Sequence, residues 1–336
     1  MNVASPSLSI RSPWPHRWAW VLACATFPLI WVGGLVTTTG AGMAFKDWLT
    51  SDGHFMLFYP WLSSEGDKFV EHGHRLLGAA AGFLAIALVA VTFKCETRSW
   101  VRRYSLLILA GVILQGALGG MRVVFDERTL ALIHGCTGPA FFAMCVGMVV
   151  VTSEWWQAVD AVTTTPGNMK FLRLAILTTV FAYSQLVAGA LVRHSPHLTG
   201  ESAPVIFQAA VYFHILLALA ITVHVILLVW QASRNRIERG RSVLLVALVG
   251  IQVLLGASTW MVKYGLPQWA AAILGDPQFV NTADNAHQAG IVTSHVAVGS
   301  LILVLALAIS LRVARQLRIG VPQLNATTHA RMGAAL

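Results

Sequence analysis

Apolar residues are gathered along this chain into eight long runs, separated by short polar stretches on one side and long mixed ones on the other. A hydrocarbon core of about 30 Å needs roughly 20 apolar residues per helix. On that rule the runs predict spans at about 17–37, 70–93, 104–123, 129–152, 170–192, 206–231, 241–262 and 289–311. Span 4 contains Gly135, Gly138 and Pro139, which a membrane helix tolerates because neighbouring groups re-satisfy the backbone. The predicted fold class is an all-α polytopic membrane protein.

Composition agrees with the pattern. Of 336 residues, 56% are hydrophobic and only 11% are charged, against about 25% charged in a soluble domain. Soluble classes and nucleic-acid binding are excluded together. The net charge of +9 follows from topology. Arg11 and Arg17, Lys94, Arg98, Arg102 and Arg103, Lys170 and Arg173, Arg234, Arg236, Arg239 and Arg241, and Arg312, Arg315, Arg318 and Arg331 all fall on one side. The other side holds Lys46, Lys68, Arg122, Arg128, Arg193 and Lys263. By the positive-inside rule both termini are cytoplasmic, or on the matrix side in a mitochondrion. The first sixteen residues are too short for a transit peptide, and the apolar run after them is too long for a cleaved signal. Cys24, Cys95, Cys136 and Cys145 lie in or beside apolar runs without a CxxC spacing, so neither a disulfide framework nor a zinc site is expected. The outer loops 38–69 and 263–288 are long and rich in Gly, Trp, Pro, Phe and Tyr, while 193–205 is shorter. Loops of that length are more often functional than idle, so chemistry is expected on the outer side.

The histidines point the same way. Glu71-His72-Gly73-His74-Arg75-Leu76-Leu77-Gly78 opens span 2, and ionisable groups there mark a site unless paired or solvated. His74, His134, His214 and His295 each lie near the outer end of an even-numbered span. They precede Lys94, Glu154, Arg234 and Arg312 by 20, 20, 20 and 17 residues. Four imidazoles at one depth on alternate helices suit two haems, each ligated from facing helices. A zinc or copper centre would instead need them to converge. Equal depth allows either arrangement.

A weak internal repeat favours two pairs. Val32-Gly33-Gly34-Leu35-Val36 echoes Val187-Ala188-Gly189-Ala190-Leu191-Val192, and Gln115-Gly116-Ala117-Leu118-Gly119 echoes Gln252-Val253-Leu254-Leu255-Gly256. Two similar four-helix bundles of the same orientation follow, with small residues that admit a flat ligand or a close helix neighbour. The domains expected are an inner tail 1–16, an N-terminal half 17–152, an inner linker 153–169, a C-terminal half 170–312 and a tail 313–336. The halves differ. Glu71 stands one turn from His74, whereas Val211-Tyr212-Phe213-His214-Ile215 offers no acid. Glu71 is therefore the candidate proton acceptor or charge stabiliser, with an ion pair to Arg75 as its plainer role. His16 and His329 are read as tail residues, and His54, His194 and His197 as solvated loop residues. His224 is expected to bond a neighbouring helix, and His72 to support Glu71 or the outer surface. Trp14, Trp18, Trp100, Tyr104, Trp155, Trp156, Trp260 and Tyr264 fit interfacial belts.

Several of these strings resemble the haem A synthase family. Gly33-Gly34-Leu35-Val36-Thr37, followed by Gly40-Ala41-Gly42-Met43 and Asp47-Trp48, resembles the start of its first outer loop. Glu71-x-x-His74-Arg75-x-x-Gly78, Gln115-Gly116-x-x-Gly119 and Ile133-His134 resemble its second-, third- and fourth-helix motifs. The resemblance implies oxidation of the C8 methyl group of haem O to the formyl group of haem A, for cytochrome oxidase biogenesis. It assigns the substrate haem to His74 and His134, haem b to His214 and His295, and catalytic roles to Glu71 and Arg75. Arg75 is read as partner to Glu71 or to a haem propionate. Expected partners are haem O, a haem O synthase and other oxidase-assembly factors, membrane lipid and a second copy of the chain, with no nucleic acid. The expected location is a bacterial inner membrane, in preference to the mitochondrial one.

The chain departs from the family at three points. Residues 38–69 lack the cysteine pair that many bacterial relatives carry. Ile215 follows His214 where an arginine is frequent. His287-Gln288 competes with His295 as the eighth-helix motif, and His295 is preferred for its depth. Two rivals stay open: a quinol-linked dihaem b-type electron-transfer cytochrome, and a non-enzymatic haem carrier in oxidase assembly. Both predict that Glu71→Gln leaves function largely intact.

Overall fold

The computed structural model describes residues 12–159, 166–195, 203–265, 272–273 and 285–317. His197 and His329 lie outside them, as do most of the outer loops 193–205 and 263–288. Among the described residues, eight helices long and apolar enough to cross a membrane make up the body. They are α1 (Trp14–Thr38), α2 (Gly66–Cys95), α3 (Ser99–Val124), α4 (Arg128–Thr152), α5 (Pro166–His194), α6 (Ala203–Asn235), α7 (Arg239–Tyr264) and α8 (Ala286–Gln316). The protein is thus an all-α, multi-pass membrane protein.

Each helix contains its predicted run and most extend a few residues past it. Hydropathy counts only the residues that suit hydrocarbon, whereas the backbone stays helical through polar end turns that side chains cap. The Glu127 carboxylate accepts the Thr129 N–H at 3.1 Å before α4, and the Asn285 side chain accepts the Gln288 N–H at 2.9 Å before α8. His16 consequently belongs to α1, where its Nδ1 meets Thr152 Oγ1 at 3.2 Å, so it is no tail residue. The C-terminal tail likewise starts after Gln316, several residues later than expected.

Packing runs in two rings. Helix α1 lies against α2 and α4, and α3 against the same two; α5 lies against α6 and α8, and α7 against the same two. The rings meet where α1 and α4 touch α8 and where α4 touches α5. Burial picks out the central members, since 56% of the apolar window of α4 and 61% of that of α8 is buried, against 17–33% elsewhere. The other helices present Ile113, Leu219 and Leu254, among others, on an exposed apolar face suited to lipid.

Two polar seams tie the rings together. At the end of the bundle where α4 finishes, Arg312 of α8 lies 3.3 Å over the Trp155 ring and Arg315 Nε donates to Trp156 O, while Arg312 also bonds Glu238 within its own ring at 2.8 Å. On the outer side Arg193 of α5 donates through Nη2 to Gly34 O and Thr38 Oγ1 of α1, at 2.9 and 2.6 Å. The outer loop between α1 and α2 is ordered into three single-turn 3-10 helices and a two-stranded hairpin, Thr50–Ser51 against His54–Phe55. Asp52 and Gly53 turn it with φ of 51° and 78°, the paired positive angles that a tight hairpin requires and Asp-Gly supplies.

Candidate functional site

The four histidines at one depth stand in two pairs. The rings of His74 on α2 and His134 on α4 are 6.4 Å apart, centroid to centroid, at 84°. Those of His214 on α6 and His295 on α8 are 6.3 Å apart at 68°. Among the described residues no three His, Cys, Asp or Glu gather closely enough to hold a metal together. That geometry rules against a centre on which all four histidines converge. His287 sits exposed in the first turn of α8, eight residues ahead of His295 and away from the pair.

Each imidazole lies on a glycine of the preceding helix. A Cβ on Gly33 would come within 2.7 Å of His74 Cε1, on Gly119 within 3.2 Å of His134, on Gly189 within 3.1 Å of His214 and on Gly256 within 3.0 Å of His295. The glycines therefore act through their missing side chain, by close approach. One turn before each glycine a backbone carbonyl, that of Leu29, Gln115, Gln185 or Gln252, lies near the same ring. None of the four is in hydrogen-bonding geometry, and every Nδ1 is buried without a partner. An orphaned buried nitrogen costs about 1–3 kcal/mol. A ring rotation toward the carbonyl would let Nδ1–H donate, the bond by which ligating histidines are oriented through the nitrogen that does not bind the metal.

The spacing itself is informative. Two imidazoles whose nitrogens face each other across one metal, each about 2.0–2.1 Å from it, would have ring centres roughly 6.3 Å apart, against about 5 Å in a tetrahedral site. Both pairs have that separation. The donor set, two imidazoles facing each other across a gap lined by glycine, fits a haem that would be held between them.

The glutamines of the repeat brace the same helix pairs. Gln115 Nε2 donates to Thr137 Oγ1 at 2.6 Å, Gln252 Nε2 to His295 O at 2.9 Å, and Gln185 Nε2 lies 3.2 Å from His214 Nε2. Gln185-x-x-x-Gly189 is a third copy of the Gln-x-x-x-Gly spacing that was legible in the sequence but overlooked. In the first position of the series the residue is Leu29.

Glu71 and Arg75 form a bidentate, almost fully buried ion pair. Arg75 Nη2 and Nε reach Glu71 Oε1 at 2.7 and 3.2 Å, and Arg75 Nη1 donates to Asp47 O and Thr50 O at 2.9 Å each. Glu71 Oε2 accepts from the backbone of Ala44 at 2.7 Å and Phe45 at 3.2 Å. The pair therefore latches the outer loop onto α2. His72, with no exposed surface, joins the latch: Nδ1 meets Ser51 Oγ at 3.0 Å, and its ring packs on Phe45 and Tyr59. Of the two roles expected for His72, the contacts are with the loop and none is with Glu71. Trp48 closes tightly on Gly120 of α3, and Arg122 of α3 donates to Gly42 O at 3.0 Å. Arg122 is also close enough to His74, His134 and Glu71 to act on their charge.

Within this loop Asp47 has its carboxyl held below the usual range. Burial pushes it up, but the Thr50 hydroxyl and the N–H groups of Gly53 and Asp52 together outweigh that. Elsewhere His224 bonds the Ala220 carbonyl of its own helix at 2.8 Å and sets its ring against Phe181 of α5. A polar bond to a neighbouring helix was expected, and an aromatic contact takes its place. Tyr104 is no interfacial anchor, since its hydroxyl donates to Met144 O at 2.8 Å within the bundle.

Residues 62–201 match a protein family described as cytochrome oxidase assembly protein. The matched stretch contains Glu71, His74, Arg75, the Gln115–Gly119 motif and His134, and it ends before His214. No curated protein matches the chain.

Proposed function

We propose that this chain, which over residues 62–201 matches the family described as cytochrome oxidase assembly protein, is a haem A synthase, which oxidises the C8 methyl group of haem O to a formyl group. The observation that carries the proposal is the pair of imidazole separations, 6.4 and 6.3 Å, on a doubled Gly-and-His frame. His74 and His134 would hold the substrate haem, and His214 and His295 a resident haem b. When bound, the second haem supplies a one-electron relay. Conversion of a methyl to a formyl group takes up the oxygen of one water and gives off four protons and four electrons, so the first half needs a proton path and a fixed substrate edge.

The chain's own residues suit those needs. Glu71 is the carboxylate nearest the first pair in sequence, one turn from His74, and Arg75 and two loop N–H groups fix its orientation. A carboxylate so placed can accept a proton, provided the loop gives up one of its bonds. The loop, latched by Glu71, Arg75 and His72, covers the outer end of the first half and limits water there. Arg122 places a positive charge beside His74 and His134, where it would favour an anionic edge of the substrate. We place the protein in a bacterial inner membrane with both termini inside, working beside a haem O synthase and other assembly factors.

A second reading is favoured by one observation. Every bond of Glu71 is accounted for by loop and Arg75, as it would be in a dihaem electron-transfer protein or a haem carrier that lacks methyl oxidation. One experiment separates them. The full chain, expressed in a host supplied with haem O and purified in mild detergent, has its haems extracted and identified by mass. Haem A or its hydroxylated precursor, lost in Glu71→Gln, supports the synthase. Unmodified haem in both sites, in parent and variant alike, supports the second reading.

A further inference from the structure

The two halves treat positive charge differently at their outer ends. In the first half Arg75 has a carboxylate partner in Glu71, and Arg122 lies in the field of that same carboxylate while donating to Gly42 O. In the second half, Arg193 stands four residues beyond Gly189 and Lys263 seven beyond Gly256, or about 6 and 10 Å further out along their helices. The two are close enough for their charges to repel. Among the described residues neither has a carboxylate partner. Arg193 engages only Nη2, with Gly34 O and Thr38 Oγ1. Two neighbouring half-buried cations with no anion beside them among the described residues are costly, which points to an anion in the functional state.

We propose that Arg193 and Lys263 form an anion-binding pair that holds the two propionate carboxylates of the haem seated between His214 and His295. This rests on the haem assignment made above. The charge balance accounts for the different fates of the two ligands. Two cations with no carboxylate partner among the described residues match a dianionic resident cofactor, and a guanidinium fork suits a carboxylate bidentately. The first half spends part of its positive charge on Glu71 and so holds its haem less firmly, as an exchanging substrate requires. Arg193 also touches α1 at Gly34, beside the glycine that carries His74, so a propionate bound there braces the outer seam between the rings.

The test uses the full chain in nanodiscs of zwitterionic phosphatidylcholine, with His74→Ala and His134→Ala present so that only the second site titrates. The probes are ferric protohaem and its dimethyl ester, which lacks the propionate charge. Protohaem is expected to bind about tenfold or more tighter than the ester. Arg193→Gln with Lys263→Gln removes that preference and leaves ester affinity in place, while Arg193→Lys retains part of it. Equal binding of acid and ester with Arg193 and Lys263 intact overturns the proposal, whatever the variants do. So does a preference that survives in the double variant. If phosphatidylglycerol lipids compete while acid and ester bind alike, the anion is a lipid phosphate and the proposal also fails. Protohaem binding that persists after His214→Ala and His295→Ala instead overturns the haem assignment itself.

Discussion

Around His74 and His134 the protein provides its own anion and its own cover. Glu71 lies one turn back along α2, pairs with Arg75 and draws the loop of residues 40–65 onto the helix by its backbone. Around His214 and His295 the corresponding turn of α6 reads Val211-Tyr212-Phe213, with Tyr212 and Phe213 exposed to the apolar surroundings. The imidazole separations differ by only 0.1 Å between the halves, so the frame has been kept while one helical turn and one loop have diverged. On the proposed function, what separates the half assigned to the reaction from the half assigned to the relay is thus concentrated in Glu71, Arg75, His72 and the loop they hold.

The largest effects should come from breaking the shared frame on one side only. Gly33→Ala puts a methyl group 2.7 Å from His74 Cε1, and the imidazole can avoid it only by leaving its partner. Haem content of the first half should fall about tenfold or more, with the second unchanged, as read by haem extraction and optical spectra. Gly256→Ala, at 3.0 Å from His295, should do the converse more mildly, and Gly119→Ala, at 3.2 Å, least of the three. Gly78→Ala, with nothing within 4 Å, serves as the neutral control. Loss of both haems from any one variant would mean the halves are not separable.

Next comes the latch. Glu71→Gln leaves the Arg75 guanidinium buried without its counter-ion, a change worth about 3–5 kcal/mol. Its amide nitrogen must face either Arg75 or the Ala44 and Phe45 N–H groups, all of them donors. Hydrogen exchange in residues 40–65 should accelerate by orders of magnitude, while α6 and α8 keep their protection. Ser51→Ala removes only the hydroxyl that meets His72 and should loosen the same segment by about 1 kcal/mol. Uniform acceleration across both halves would contradict a latch local to the first.

Acid should have the smallest effect. The depressed carboxyl of Asp47 means that its stabilisation of the hairpin turn is present above the ordinary Asp value of about 3.9 and is lost as pH falls through its lower folded value. Protease cleavage near residues 50–55 should therefore rise below about pH 4, and Asp47→Asn should abolish that dependence. The turn is exposed and the effect is modest.

Much of the frame was legible in the sequence because the membrane makes it so. Eight apolar runs, basic inner loops and four histidines at one depth follow from hydrocarbon thickness and the cost of intramembrane charge, both of which leave marks on single residues. Pairing was less legible, since equal depth on alternate helices also allowed convergence on one metal; only the ring positions separate these. The part played by His72 was hidden because it depends on Ser51, Phe45 and Tyr59, which come from a loop with no hydrophobic period. Asp52-Gly53 was a readable hairpin signal in that loop that was passed over. Arg193 and Lys263 were read only as outer-side charges, because nothing in their local strings shows that the helices bring them together.

The central claim is that two imidazole pairs hold one haem each and do so independently. Haem-to-protein stoichiometry in purified full-length protein tests it directly, for the parent, His74→Ala, His214→Ala and the double variant. The account predicts two haems, one, one and none, with each single variant keeping the optical spectrum of the half left intact. Loss of both haems in either single variant, or two retained in either, would contradict it.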